Sequence, residues 1–138
     1  MIAVVDASVA IKWVIPEPLS DHADRLRERA ERLVVPDLLL PEVTNVLWKK
    51  LRRRELTPRE AKHALELLME SGLEVRPSGP LLDSALTLAR RLDHPVYDCI
   101  YVTLARTERA TLVTADERLL SRLAKVRARV AIAALATV

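Results

Sequence analysis

Four carboxylates separated by long stretches of chain, Asp6, Glu42, Asp98 and Asp116, fall where an alternating α/β sequence would pass from strand to helix. Asp6 ends the apolar, β-branched run at residues 2–5, and Asp116 comes just after a similar run at residues 110–113. Glu42 and Asp98 belong to the first turns of two segments with helical apolar spacing. In an open parallel sheet the carboxyl ends of the strands and the starts of the following helices share one edge, where ligands bind. The four acids therefore have a common destination. Carboxylates gathered there raise one another's pKa, a conflict that a divalent cation resolves. An oxygen-only ligand set selects Mg²⁺ or Mn²⁺ over zinc, and Mg²⁺ retains several waters. A water acidified by such an ion, with positive charge beside a phosphate, suits hydrolysis of a phosphodiester bond.

Each acid alone has an ordinary explanation. An Asp after a strand caps a helix or forms a turn, and an acid in a first turn complements the helix dipole. Only their joint placement points to a metal site.

The elements that must deliver these residues follow from hydrophobic spacing and stop signals. Residues 2–5 read as a buried parallel strand. Ser8 suits the N-cap of a helix carrying Val9, Ala10 and Trp13, ended by Pro16 and Pro18. A charged helix is expected over residues 19–33, with one apolar stripe at Ala23, Leu26, Ala30 and Leu33, then a short strand at 33–35. Leu39, Val43, Val46, Leu47 and Leu51 give the 3.6-residue period of a helix over 38–54. Thr57, Pro58 and Glu60 form a capping-box signature that opens the next helix, and Gly72 closes it. A strand at 73–75, a helix from Pro80 to about Leu92, a break at His94 and Pro95 and a helix over 97–107 follow. After these come a strand at 110–113, a helix over 116–123 and a fifth strand at 130–132. Strands alternating with helices predict an α/β protein whose mostly parallel sheet of four to five strands is covered on both faces. No repeat, low-complexity tract or linker interrupts it, so residues 1–138 read as one domain.

Bulk properties narrow the function classes. The chain has 138 residues, 50% hydrophobic and 30% charged, which excludes a disordered protein. No apolar run approaches the roughly 20 residues of a membrane helix. The first apolar stretch is interrupted by Asp6 and Lys12 rather than preceded by basic residues, unlike a signal peptide. Cys99 is the single cysteine, which excludes an intramolecular disulfide and a cysteine-based zinc site and fits a reducing cytoplasm. Net charge is only +3, yet Lys49, Lys50, Arg52, Arg53 and Arg54 crowd one segment and Arg118, Arg122, Lys125, Arg127 and Arg129 another. Both would attract a polyanion, and Lys49 and Arg53 are candidate contacts to RNA phosphates. Aromatic content of 3% argues against extensive base stacking.

Around the acids the sequence resembles the PIN-domain family, in particular the VapC-type toxins of toxin–antitoxin pairs, over nearly the whole chain. The matching segments are V-V-D-A-S around Asp6, P-E-V-T-N-V-L around Glu42, H-P-V-Y-D-C-I-Y-V-T-L-A around Asp98 and L-V-T-A-D-E-R-L around Asp116. The resemblance implies an α/β/α sandwich and a Mg²⁺- or Mn²⁺-dependent endoribonuclease. It also implies a homodimer, with higher assembly open, and a small antitoxin whose tail occupies the active-site groove. It assigns Asp6, Asp98 and Asp116 to metal binding, with Glu42 as the helix-borne fourth acid. Ser8, Asn45 and Thr114 become polar supports that hydrogen-bond carboxylates or metal waters. No further acid stands two residues after Asp116, where some relatives have one, which leaves a second metal position open.

Other residues read as structural. Cys99 lacks a thiolate-activating partner; His22, His63 and His94 share no ligand spacing; Trp13 and Trp48 suit core or dimer contacts; Tyr97 and Tyr101 suit packing. A phosphate-accepting receiver domain would need an acidic pair after its first strand, and a D-x-D-x-T phosphatase would need Asp where Ser8 stands. A PIN domain that processes or only binds RNA, outside any toxin pair, is the closer alternative.

Overall fold

The computed structural model describes residues 1–125 and 130–138. Arg127 and Arg129 of the second basic run lie outside the described residues. Five strands, β1 (Ile2–Val5), β2 (Arg32–Pro36), β3 (Glu74–Arg76), β4 (Thr111–Thr114) and β5 (Ala131–Ala134), form one sheet in the order β3-β2-β1-β4-β5. Every pairing is parallel. The inner strands are short apolar runs because both faces are covered: Ala3, Val4 and Val5, together with Val34, Val35, Leu112 and Val113, have no exposure.

Seven α-helices connect these strands within the described residues: α1 (Ala7–Val14), α2 (Ser20–Arg29), α3 (Leu39–Arg52), α4 (Pro58–Met69), α5 (Leu82–Leu92), α6 (Val96–Glu108) and α7 (Glu117–Ala124). From β1 the chain steps to β2 and then β3 on one side, and later to β4 and β5 on the other. Right-handed crossovers then send α1 to α4 to one face and α5 to α7 to the opposite face, giving a three-layer α/β/α sandwich. Packing agrees. Helix α1 lies on β1 and β4 and touches α2, α3 and α4, whereas α6 crosses β1, β2 and β4, with α5 outside it.

Several element ends differ from the sequence expectation for physical reasons. Helix α1 begins at Ala7 and not after Ser8, because the Asp6 carbonyl accepts from Val9 N–H (3.2 Å) and Ala10 N–H (3.1 Å) and so occupies the cap position. Helix α2 stops at Arg29, short of Leu33, since Arg32 to Pro36 is recruited to pair with β1 and β3. A 3₁₀ turn at Gly79–Leu81 precedes α5, so Pro80 starts the turn and not the helix itself. At α4 the capping box is complete, with Glu60 N–H donating to Thr57 Oγ1 (3.2 Å) and Thr57 N–H to Glu60 Oε1 (2.9 Å). Trp48, expected in the core or at a dimer contact, is 52% exposed and therefore not a core residue.

Candidate active site

The strand order reverses between β1 and β4, both of which lead into helices on opposite faces; this is the switch point where open α/β sheets form their crevice. Pairing of Val5 with Val113 sets the two strand ends level, so Asp6 leaves β1 beside Thr114, the last residue of β4. Asp6 is 6% exposed. Its Oδ1 accepts from Ser8 Oγ at 2.5 Å and its Oδ2 accepts from Thr114 Oγ1. Ser8 Oγ in turn accepts from Ala115 N–H (2.9 Å), and Thr114 Oγ1 accepts from Asp116 N–H (3.0 Å). One carboxylate is thereby locked by two hydroxyls that are themselves fixed by the β4–α7 turn.

Glu42 and Asp98 approach the same point from other elements. Glu42 lies in the first turn of α3, which starts past the end of β2. Asp98 lies in the first turn of α6, where Asp93 in the left-handed region (φ 50°) ends α5 and Pro95 precedes α6. Burial pushes the Asp6 carboxyl above its ordinary pKa, the Ser8 and Thr114 hydroxyls oppose it, and the Asp98 charge adds to it. Burial likewise raises Glu42, with the charges of Asp98 and Asp6 adding. Asp6, Glu42 and Asp98 are thus within electrostatic reach of one another, an arrangement that favours a cation among them.

Asp116 holds a different position. Its Oδ1 accepts from Arg118 N–H (2.9 Å) and Leu119 N–H (3.2 Å), so it caps α7 and is linked to Asp6 through Thr114. Asn45 lies one turn after Glu42 on α3 but is exposed, and makes no side-chain hydrogen bond among the described residues. Among the described residues no three His, Cys, Asp or Glu side chains converge into a ready-made ligand shell. An ion here would therefore reach some carboxylates through water, which is how Mg²⁺ commonly binds.

Two residues expected to be structural face the acids. His94 Nε2 is 2.6 Å from Asp98 Oδ2, and the Tyr101 hydroxyl donates to Glu42 Oε1. The signal was spacing: His94 is four residues before Asp98, and Tyr101 three after it, so on or beside one helix they share a face. Cys99 is buried, and burial together with the Asp98 charge pushes its thiol up to about 11, consistent with an inert packing role.

The basic segment of α3 divides. Lys50 pairs with Glu17 (3.2 Å) and Glu55 (3.6 Å), and the Arg52 guanidinium lies 5.7 Å from the Trp48 ring centroid. Lys49 and Arg53 are exposed and make no ion pair within the described residues. At the helical rise they lie about 10 to 16 Å along α3 from Glu42. No helix of the described residues is long and apolar enough to cross a membrane.

Comparison with known proteins places these features. Residues 3–126 match the family model described as PIN domain. The chain is 39% identical over 118 residues to ribonuclease VapC3 of Pyrobaculum aerophilum, an alignment covering 84% of this chain and 90% of that protein. The crystal structure of PAE2754, also from Pyrobaculum aerophilum, superposes with a TM-score of 0.74 at 27% identity, covering 98% of this chain and 84% of that one. VapC20 of Mycobacterium tuberculosis, a toxin that cleaves the sarcin–ricin loop, shares the fold with a TM-score of 0.68 at 17% identity, covering 86% of this chain and 93% of that one.

Proposed function

Because the chain belongs to the PIN-domain family, we propose that it is a Mg²⁺- or Mn²⁺-dependent endoribonuclease and the toxin of a toxin–antitoxin pair. The observation that carries the reading is the buried Asp6 at the switch point, charge-coupled to Glu42 and Asp98 and held by Ser8 and Thr114. A ribonuclease as a relative at 39% identity supports the substrate class.

The donor chemistry fits the ion. Asp6, Glu42 and Asp98 offer only oxygen, and the raised pKa of Asp6 and Glu42 reflects negative charge brought together out of water. In this reading Asp6 and Asp98 hold the cation directly, Glu42 holds it directly or through water, and Asp116 contributes from the far side of Thr114. When bound, the ion supplies positive charge against a phosphodiester under attack and makes a water more acidic. The protein's own share is orientation. Ser8 and Thr114 keep both oxygens of Asp6 in place, and His94 does so for one oxygen of Asp98. Lys49 and Arg53 contact RNA phosphates away from the cleavage point. Asn45, exposed near the mouth, orders a water or the substrate.

A small antitoxin is the expected partner, with its tail over the acids, and a homodimer is the expected assembly. Leu82 and Leu86, one turn apart and exposed on α5, suit contact with a second copy. The reducing cytoplasm is the expected compartment. The test is cleavage of total RNA by purified protein with Mn²⁺. Chelator removes activity, and Asp98→Asn slows it by ~100-fold or more, since even residues supporting a metal ligand cost 10- to 100-fold. Unchanged cleavage by Asp98→Asn would overturn the site.

A further inference from the structure

We propose that Tyr101 is a positioning residue for the nuclease reaction, acting through the hydrogen bond its hydroxyl donates to Glu42; this rests on the function proposed above. Three observations converge on it. Tyr101 is the largest fully buried side chain among the described residues, with no exposure, and a buried phenol needs a partner for its hydroxyl. Its partner is Glu42 Oε1, 59 positions away on a different helix. It also stands one turn after Asp98 on α6, so its ring projects from the same face that delivers that acid.

The consequence is mechanical. Helix α6 crosses β1, β2 and β4 beneath the crevice, and Tyr101 is its only described side-chain bond to a site acid other than through Asp98. Glu42 is only half-buried on the first turn of α3 and has no other described hydrogen-bond donor. Without the phenol its carboxylate can rotate away from Asp6 and Asp98, whose charges repel it. A phenol carries its proton at neutral pH, so the Tyr101 hydroxyl donates and the Glu42 carboxylate accepts. The bond therefore restrains a flexible glutamate against like-charge repulsion from its neighbours. The bond thus links α6, which carries Asp98, to Glu42 on α3.

Tyr101→Phe keeps the ring and removes only the donor, which makes it the direct test, with Glu42→Gln and the double variant completing a cycle. Cleavage is followed as kcat and KM for a defined RNA, and Mn²⁺ affinity by calorimetry on the metal-free protein. Loss of one hydrogen bond to a charged group predicts that Tyr101→Phe lowers kcat about tenfold with KM little changed, and weakens Mn²⁺ binding severalfold. In the Glu42→Gln background the same change adds less than about twofold, because the group it positions is already altered. Full multiplication of the two effects would show that Tyr101 acts independently of Glu42 and overturn the inference. So would wild-type kcat and Mn²⁺ affinity in Tyr101→Phe while Asp98→Asn is inactive, a result that leaves the nuclease assignment standing. Normal cleavage by Asp98→Asn would remove the nuclease site and this inference with it.

Discussion

At the scale of single residues, the chemistry of the site rests on charge that the fold brings together at a cost. Asp6 is buried with both oxygens bonded to hydroxyls, and burial and Asp98 still hold its carboxyl above the ordinary range. Hydroxyl partners stabilise the charged form but cannot neutralise it, and a cation can. Two opposite shifts follow. In chelator at pH 7, Asp6→Asn raises Tm by a few degrees, because a destabilising buried charge is gone while an amide still fits between Ser8 and Thr114. Added Mn²⁺ raises Tm of the parent protein but not of this variant. A parent Tm indifferent to Mn²⁺, read by calorimetric scans, would contradict this account. Cys99→Ala, in contrast, leaves the cleavage rate within about twofold, since a buried thiol held near 11 does no chemistry at neutral pH.

Elements carry these residues to the switch point, and their stability can be tested away from the chemistry. On the β2–β3 edge, Arg32 Nη2 lies 2.7 Å and Arg76 Nη2 2.8 Å from Glu74, and Arg76 Nε also reaches Glu108 at 2.9 Å, tying both strands to the end of α6. The two guanidiniums hold the Glu74 carboxyl down at about 2 against an ordinary 4.5. A depressed folded-state pKa contributes stability above the unfolded value, lost as pH falls through the folded one. Glu74→Gln therefore lowers Tm at pH 7, and the difference from the parent shrinks between about pH 4.5 and pH 2. A difference that stays constant across that window would show that the network is not what stabilises this edge.

Much of this layer was legible in the sequence. Buried parallel strands are short runs of apolar and β-branched residues, so β1 and β4 announce themselves, and Thr57, Pro58 and Glu60 state the capping box of α4. What sequence could not supply was the competition for shared residues. Ser8 has the right type for a cap, but its hydroxyl is taken by Asp6, and the cap position falls to Asp6 itself. Residues 30–33 continue a helical stripe, but strand pairing outweighs it. Tyr101 and Glu42 meet across α6 and α3, a pairing that no local pattern encodes.

Over the whole molecule, the sheet order gathers acids from four places in the chain to one edge, with different standing. Asp6, Glu42 and Asp98 are coupled by their charges, while Asp116 spends one oxygen on the start of α7. The family resemblance groups Asp116 with Asp6 and Asp98, whereas in the structure it is Glu42 whose carboxyl is raised by the charges of those two acids. The basic residues are also sorted by the fold, since Lys50 is consumed by Glu17 and Glu55 while Lys49 and Arg53 remain exposed. If these two contact phosphates, the Lys49→Ala, Arg53→Ala double variant binds single-stranded RNA more weakly at low salt, and its log-affinity slope against log salt falls by about 1.4. An unchanged slope would assign RNA contact to another face.

In the function proposed for this chain, a cation site built on Asp6, Glu42 and Asp98, with Asp116 contributing, performs RNA hydrolysis. It is tested most directly by stripping the protein with chelator and following cleavage of one defined RNA as Mn²⁺ is returned, with Asp6→Asn beside it. The stripped protein is expected to show no cleavage and saturable recovery with Mn²⁺, and Asp6→Asn no recovery at any Mn²⁺ concentration. Cleavage that persists without metal, or that Mn²⁺ restores equally in both proteins, would contradict it.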